Sequence, residues 1–467
     1  MSLTYRLGES NLFLSGVIGH CLLDVSDASG STGSEGVSMI DRRGQAACPV
    51  LPGSSEGVAG AVRWRVVLAA AAAMTVEGYD LGVYGSVLPL LTADRGLGLT
   101  TGAAGLVGSA VFCGMLVGGL TVGRLAARLT QLRVLRWGIL VFSGAMLAAG
   151  LAPNAGWLGA ARLVAGTALG VVMPICMAMA RSASGLRLGP LCISLVMGGI
   201  PAGGIIATCL SYLCVSWTGW RVLFAVGALL GPAVLPVVVG VMRSGAADPP
   251  PRPSRDVTAR RGVVTRGVVQ PAIAGALATF FFLLSFYGLV TWLTKLMTEI
   301  RVPLDGALQL TLVLNIGAVI GSALTGLLAM RYGAWALTVV SGTACAVCLV
   351  LVPSGLFSGV PLMVLVALLG MFSPSTQNLV NSLVADSVGP SLRAAVLGVT
   401  LGVGRLGAVA APVIGSFLLL RVGRGQGLAS PAGAVFLAFA ASCVTGVAAA
   451  CWLGVLARRG RALEAAR

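Results

Sequence analysis

The sequence predicts an all-α membrane protein with twelve transmembrane helices arranged as two pseudo-symmetric six-helix halves. Three observations predict it. Of 467 residues, 57% are hydrophobic and only 10% charged, with a mean hydropathy of +0.95, whereas soluble domains are about a quarter charged. A dozen apolar runs reach the roughly 20 residues that cross a bilayer as a helix. Finally, a short motif after the second run recurs after the eighth.

Residues 1–62 read as a disordered tail rich in Ser, Gly and Asp. Its apolar patch, 11–23, is too short to span, and Met39 is an alternative start. Spans are predicted at 64–91, 101–122, 134–152, 156–180, 189–213 and 220–242, then at 268–293, 307–330, 335–353, 359–382, 394–420 and 431–457. This gives a first half at 63–242, a linker at 243–267, a second half at 268–457 and a short tail at 458–467. The linker carries Asp248-Pro-Pro-Pro-Arg252-Pro and divides the spans six and six. The 66 glycines fit close packing of membrane helices.

The formal charge of +16 would suggest nucleic acid in a soluble protein. Here the basic residues lie in the gaps between spans, so no nucleic-acid partner is read from them. Gaps on the side of the linker and both ends carry 20 arginines, and the opposite gaps carry 6 basic residues. By the positive-inside rule both termini are cytoplasmic in a multi-pass cell-membrane protein. His20, the only histidine, lies in the tail, so no histidine-based metal site or catalytic triad can form in the membrane. No enzyme activity, metal or cofactor is expected. Cys345-Ala-Val-Cys348 has redox spacing but no flanking charge to activate a thiol, so small packing residues are expected there.

The recurring motif is G-x-L-A-x-R: Gly123 to Arg128 in one half, and Gly326 to Arg331, followed by Gly333, in the other. Matching loops in two six-span halves imply a pseudo-twofold axis along the membrane normal and a cavity between the halves, which is transporter architecture.

These loops resemble the cytoplasmic loop motif of the major facilitator superfamily, G-x-x-x-D-R-x-G-R-R. Arg162-x-x-x-Gly166-x-x-x-Gly170-x-x-x-Pro174 is similar to its fourth-span signature, and Gly219-Trp-Arg to its sixth-span opening. Within the superfamily, Glu77-Gly-Tyr-Asp80 resembles the D-G-[FY]-D motif of the aromatic acid:proton symporters. Pro390-Ser-Leu-Arg393 with Gly404-Arg405-Leu-Gly407 and Pro412 resembles their tenth-to-eleventh-span segment. The resemblance implies the major facilitator fold and import of a small organic anion, of benzoate type, together with protons, by a monomer in the lipid bilayer. It also implies gating roles for Gly123, Arg128, Gly326, Arg331 and Gly333. The chain departs from the pattern: the loop acid is replaced by Ala127 and Met330, and the first carboxylate is Glu77 rather than Asp.

Of 15 acidic residues only Glu77 and Asp80 fall inside a predicted span. Residues three apart lie about 60° apart on a helix, so both face one side. A carboxylate at that depth is costly and faces an interior cavity. Burial and a like-charged neighbour poise such a group to carry a proton. Coupling is assigned to this pair, and to Asp80 ahead of Glu77, the variant position. Leaving aside the arginines counted with the gaps at span ends, Arg162 and Arg405 are the only cations within spans. Arg405 is assigned to the substrate carboxylate or to a structural pair, with open space expected from Gly402, Gly404 and Gly407. Arg162 is assigned to structure or gating. Tyr84, Asn315, Gln377 and Tyr287 are candidate cavity residues or helix–helix hydrogen-bonding groups. The aromatics of the seventh span, Phe280 to Phe282, Phe286, Tyr287 and Trp292, form a ring-stacking wall or, more commonly, a lipid-facing belt. The rival readings are a proton-coupled exporter, for which Gly199-Ile-Pro201-Ala-Gly203-Gly204 partly fits, and a membrane sensor that does not transport.

Overall fold

The computed structural model describes residues 62–183, 189–243, 266–388, 390–423 and 425–465. By backbone contacts the chain divides into Met1–Val58 and Ala59–Arg467, and every described residue belongs to the second unit. The tail to residue 61 (with Met39) and most of the linker, 244–265, lie outside the described residues.

The helices are α1 (Trp64–Ala93), α2 (Thr101–Arg128), α3 (Gln131–Gly150), α4 (Ala155–Ala183), α5 (Gly189–Met197), α6 (Gly199–Arg243), α7 (Arg266–Glu299), α8 (Leu304–Tyr332), α9 (Ala334–Leu351), α10 (Gly359–Asp386), α11 (Pro390–Arg421) and α12 (Pro431–Ala465). Among the described residues twelve helical stretches are long and apolar enough to cross a membrane, each within a few residues of its predicted place. The fifth span crosses from α5 into α6, and α6 turns sharply at Gly219 (φ 71°, ψ 174°) to start the sixth. Glycine adopts that backbone without a Cβ clash. Polar caps set several starts: Thr100 Oγ1 accepts from the Ala103 amide at 3.2 Å, and Asn154 Oδ1 accepts from the Trp157 amide at 2.9 Å.

The two G-x-L-A-x-R motifs are helix ends rather than loops, which corrects the sequence reading. Alanine, leucine and arginine favour helix, so α2 continues to Arg128 and stops where Leu129 turns extended. The α8 helix continues to Tyr332 and stops at Gly333, with φ +84°.

Close approaches between helices repeat across the two halves. The α2–α4 contact places Gly114 and Gly118 against the backbone of Leu163 and Thr167, with Gly166 and Gly170 against Val111 and Met115. Its counterpart, α8–α10, places Gly317 and Gly321 against Ala367 and Met371, with Gly370 against Leu314. Gly203 lies under the Thr75 carbonyl, and Gly407 under that of Phe280. A β-carbon at any of these positions would collide with a backbone oxygen. Backbones in lipid associate through this kind of small-residue packing. Large side chains such as Leu68, Leu120, Trp137 and Leu229 point outward, where lipid replaces water. Cys345 and Cys348 are buried, with Cys443 Sγ 3.6 Å from Cys345 Sγ, consistent with packing.

Candidate functional site

Helix α1 is the most enclosed span: 78% of its apolar window is buried, against 33% for the sixth span. Its neighbours fix its rotation. Tyr79 Oη donates to the Leu223 carbonyl at 2.8 Å, and Tyr84 Oη to that of Ala104 at 2.7 Å. Ser86 and Thr208 share a hydrogen bond of 3.3 Å. Gly78 is pressed against the Ile200 backbone. Glu77 and Asp80 are therefore held inside the protein, each 0% exposed.

The two carboxylates differ in partners. Asp80 Oδ1 accepts from Arg162 Nη1 at 3.1 Å, with the arginine 2% exposed. The guanidinium also stands 4.3 Å above the Tyr84 ring, a cation–π contact strengthened by exclusion of water. This makes a closed unit of α1 and α4, although Asp80 Oδ2 and Arg162 Nε keep no partner. Both oxygens of Glu77 lack a hydrogen-bond partner. The charges whose fields reach Glu77 are Arg405 and Asp80.

Arg405, midway along α11, donates from Nη1 to the Met115 carbonyl at 3.2 Å and from Nη2 toward Met173 Sδ at 3.0 Å. Among the described residues no carboxylate lies within ion-pair distance of it. The space around its head comes from Gly119 of α2, where a β-carbon would stand 2.6 Å from Nη1. Gly404 and Gly407, expected to provide that opening, instead pack against Thr279 and Phe280, because they lie on the α7-facing side of α11. Tyr287 is reached electrostatically by both Glu77 and Arg405. Its ring centroid is 4.7 Å from Phe112 and 5.0 Å from Phe286. Of the seventh-span aromatics, Phe282, Tyr287 and Trp292 are buried rather than lipid-facing, since α7 lies between α11, α12 and α1, whereas Phe280, Phe281 and Phe286 are half-buried.

A crevice beside Glu77 is lined by Gly78, Gly82, Gly204, Phe286, Tyr287 and Asn315. Asn315 Nδ2 is tied to the Thr311 carbonyl at 2.9 Å. Gln377 stands in a separate group, donating to Asn381 Oδ1 at 3.1 Å and Thr279 Oγ1 at 3.4 Å, with its buried Oε1 unpartnered. Arg128 and Arg331 are exposed at their helix ends, away from the cluster; Gly123 and Gly326 lie in the same helices, five residues before each arginine.

The halves meet between mid-membrane and the side away from the chain ends. Gly85 abuts the Val290 carbonyl, and Gly105 abuts Pro412 and Ser416. Ser109 Oγ donates to the Val409 carbonyl at 2.6 Å, and Gln309 Nε2 to Tyr212 Oη at 3.3 Å. On that side Asp94 accepts from Trp220 Nε1 at 3.0 Å and Arg221 Nη1 at 3.1 Å. The Trp220 bond, with help from Arg221 and the Gly96 and Leu97 amides, holds the Asp94 carboxyl below its ordinary range. Sequence reading missed Asp94, Phe112, Met115 and Met173, because only tertiary packing gives them their partners.

Residues 70–412 match the family model of the Major Facilitator Superfamily. The chain belongs to this superfamily. It is thus a multi-pass membrane transporter and not an enzyme. Among its superfamily relatives, a gentisate transporter of Corynebacterium glutamicum is 32% identical over 415 residues, spanning 86% of this chain and 88% of the relative. A benzoate transport protein of Acinetobacter baylyi is 29% identical over 394 residues, spanning 76% and 83%. The crystal structure of a D-xylose-proton symporter shares the fold at a TM-score of 0.67 and 14% identity, covering 84% of this chain and 97% of that one.

Proposed function

We propose that the protein imports an aromatic carboxylate together with protons. The observation that carries this reading is Arg405: a mid-membrane guanidinium without a carboxylate partner among the described residues, electrostatically coupled to Glu77 and Tyr287. A planar guanidinium binds a carboxylate through two parallel hydrogen bonds. The rings of Tyr287, Phe112 and Phe286 offer offset stacking to an aromatic substrate. The gentisate and benzoate transporters among the relatives support this substrate class.

In this reading Glu77 carries the proton. The Asp80–Arg162 pair, the first sequence-based choice for coupling, instead fixes α1 to α4. The excess of arginine in the gaps beside the chain ends supports cytoplasmic termini in the cell membrane. The far-side contacts between the halves then close the outer mouth, with Gly123, Arg128, Gly326, Arg331 and Gly333 at the inner ends of the helices that rock. The protein works as a monomer, each chain containing its own cavity between halves. Uptake of labelled gentisate and benzoate into proteoliposomes under an acid-outside gradient tests the reading, with protein-free vesicles as the control. Accumulation above that control is expected, and its absence for both acids contradicts the reading.

A further inference from the structure

Away from the span ends, the described spans hold four charged side chains: Glu77, Asp80, Arg162 and Arg405. Asp80 and Arg162 neutralise one another directly. This leaves one acid and one base to be balanced, and they share no hydrogen bond. The groups coupled to Glu77 electrostatically are Asp80 on its own helix, Cys176 from α4, Tyr287 from α7 and Arg405 from α11, and Arg405 reaches α4 at Met173, one turn before Cys176. A thiol and a phenol are ordinarily neutral near pH 7, so among the described residues Arg405 is the cation that can offset Glu77.

We propose that Glu77 and the substrate carboxylate alternate as the counter-charge of Arg405, so that one proton accompanies each monoanionic substrate and transport is electrically neutral. This proposal rests on the aromatic-carboxylate reading above. An uncompensated charge at bilayer depth costs several kcal/mol, and that cost selects which occupancies can rock between the two faces. Two are neutral: ionised Glu77 balancing Arg405 without substrate, and protonated Glu77 with the substrate anion on Arg405. The other two leave a net charge of +1 or −1 between the halves and are disfavoured. On loading, a proton moves from outside water to a Glu77 oxygen as the substrate carboxylate takes the guanidinium. On release, the substrate leaves to the inside and Glu77 returns its proton to inside water. Coupling follows from charge balance, with no further group required.

The test is gentisate accumulation in proteoliposomes at a fixed pH gradient, with the membrane potential set by potassium and valinomycin. The expected result is accumulation unchanged when an inside-negative potential is applied. A transport cycle moving one net positive charge would gain about fortyfold per 100 mV, and one moving the anion alone would lose as much; either result overturns the proposal while leaving the substrate reading intact. Absence of uptake of both gentisate and benzoate overturns the substrate reading and this proposal with it. The second arm is Glu77→Gln, which removes no hydrogen bond seen in the structure. Its gentisate affinity should be independent of pH, whereas wild-type affinity should rise as pH falls. A wild-type pH dependence in the variant overturns the proposal.

Discussion

Arg162 Nη1 lies 3.1 Å from Asp80 Oδ1 with both side chains withdrawn from solvent, and three residues earlier Glu77 has no hydrogen-bond partner. One helix thus carries two carboxylates in different electrostatic situations. A buried ion pair broken by removing one member leaves an uncompensated charge, at a cost of about 3–5 kcal/mol. Among the described residues Glu77 has no direct ion pair to break, so its removal acts instead by taking away the counter-charge of Arg405, which a bound substrate anion restores.

Asp80→Asn should therefore lower the melting temperature of the detergent-solubilised protein strongly, and Asp80→Asn with Arg162→Met should recover much of the loss. The check is thermal unfolding followed by fluorescence-detected size exclusion. Equal stability of Asp80→Asn and wild type would show that the pair contributes little.

Glu77→Gln should be less stable than wild type without substrate, recover when gentisate is bound to Arg405, and lose accumulation driven by a pH gradient. Counterflow exchange of labelled for unlabelled gentisate needs no net proton movement and should persist. Full gradient-driven accumulation by this variant would remove Glu77 as the proton carrier.

Arg405→Lys retains the charge but not the two-pronged geometry. A charge-assisted hydrogen bond is worth about 1.5–3 kcal/mol, so KM for gentisate should rise by about 10–100-fold at unchanged protein level. An unchanged KM would place the carboxylate elsewhere.

Much of this arrangement was legible in the sequence, because membrane spans are set by length and hydropathy. The twelve spans lie where the apolar runs put them, and the two in-span carboxylates were visible as exceptions. Partner choice was not legible. Arg162 is 82 positions from Asp80, and only the packing of α1 on α4 selects it over Arg405. Glycine direction was likewise hidden: Gly404 and Gly407 had to be placed on the α7 side of α11 before their packing role could be distinguished from an opening around Arg405. The helical continuation through Arg128 and Arg331 was written in local propensity, but was masked by reading charge as loop.

Gly85→Val tests the contact between halves. Its side chain would meet the Val290 carbonyl of α7, a contact between halves rather than within one. The variant should shift the population toward the state open on the far side, raising labelling of a cysteine placed at Phe112 by a membrane-impermeant reagent added outside. Unchanged labelling with retained fold would show that this contact does not hold the outer side closed.

Asp94 supplies a pH signature on the far side. Its carboxyl lies below the ordinary range through Trp220 and then Arg221, so its stabilisation is present at neutral pH and is lost as pH falls through that lowered value. Asp94→Asn should be less stable than wild type at neutral pH, and the gap should close in acid. A pH-independent gap in thermal unfolding would contradict the assignment.

The most direct measurement of aromatic acid–proton symport is the pH of a weakly buffered external medium when gentisate is added to proteoliposomes. The account predicts external alkalinisation in step with labelled gentisate entry, abolished by Glu77→Gln. Entry of gentisate by the wild-type protein with no change in external pH would contradict it.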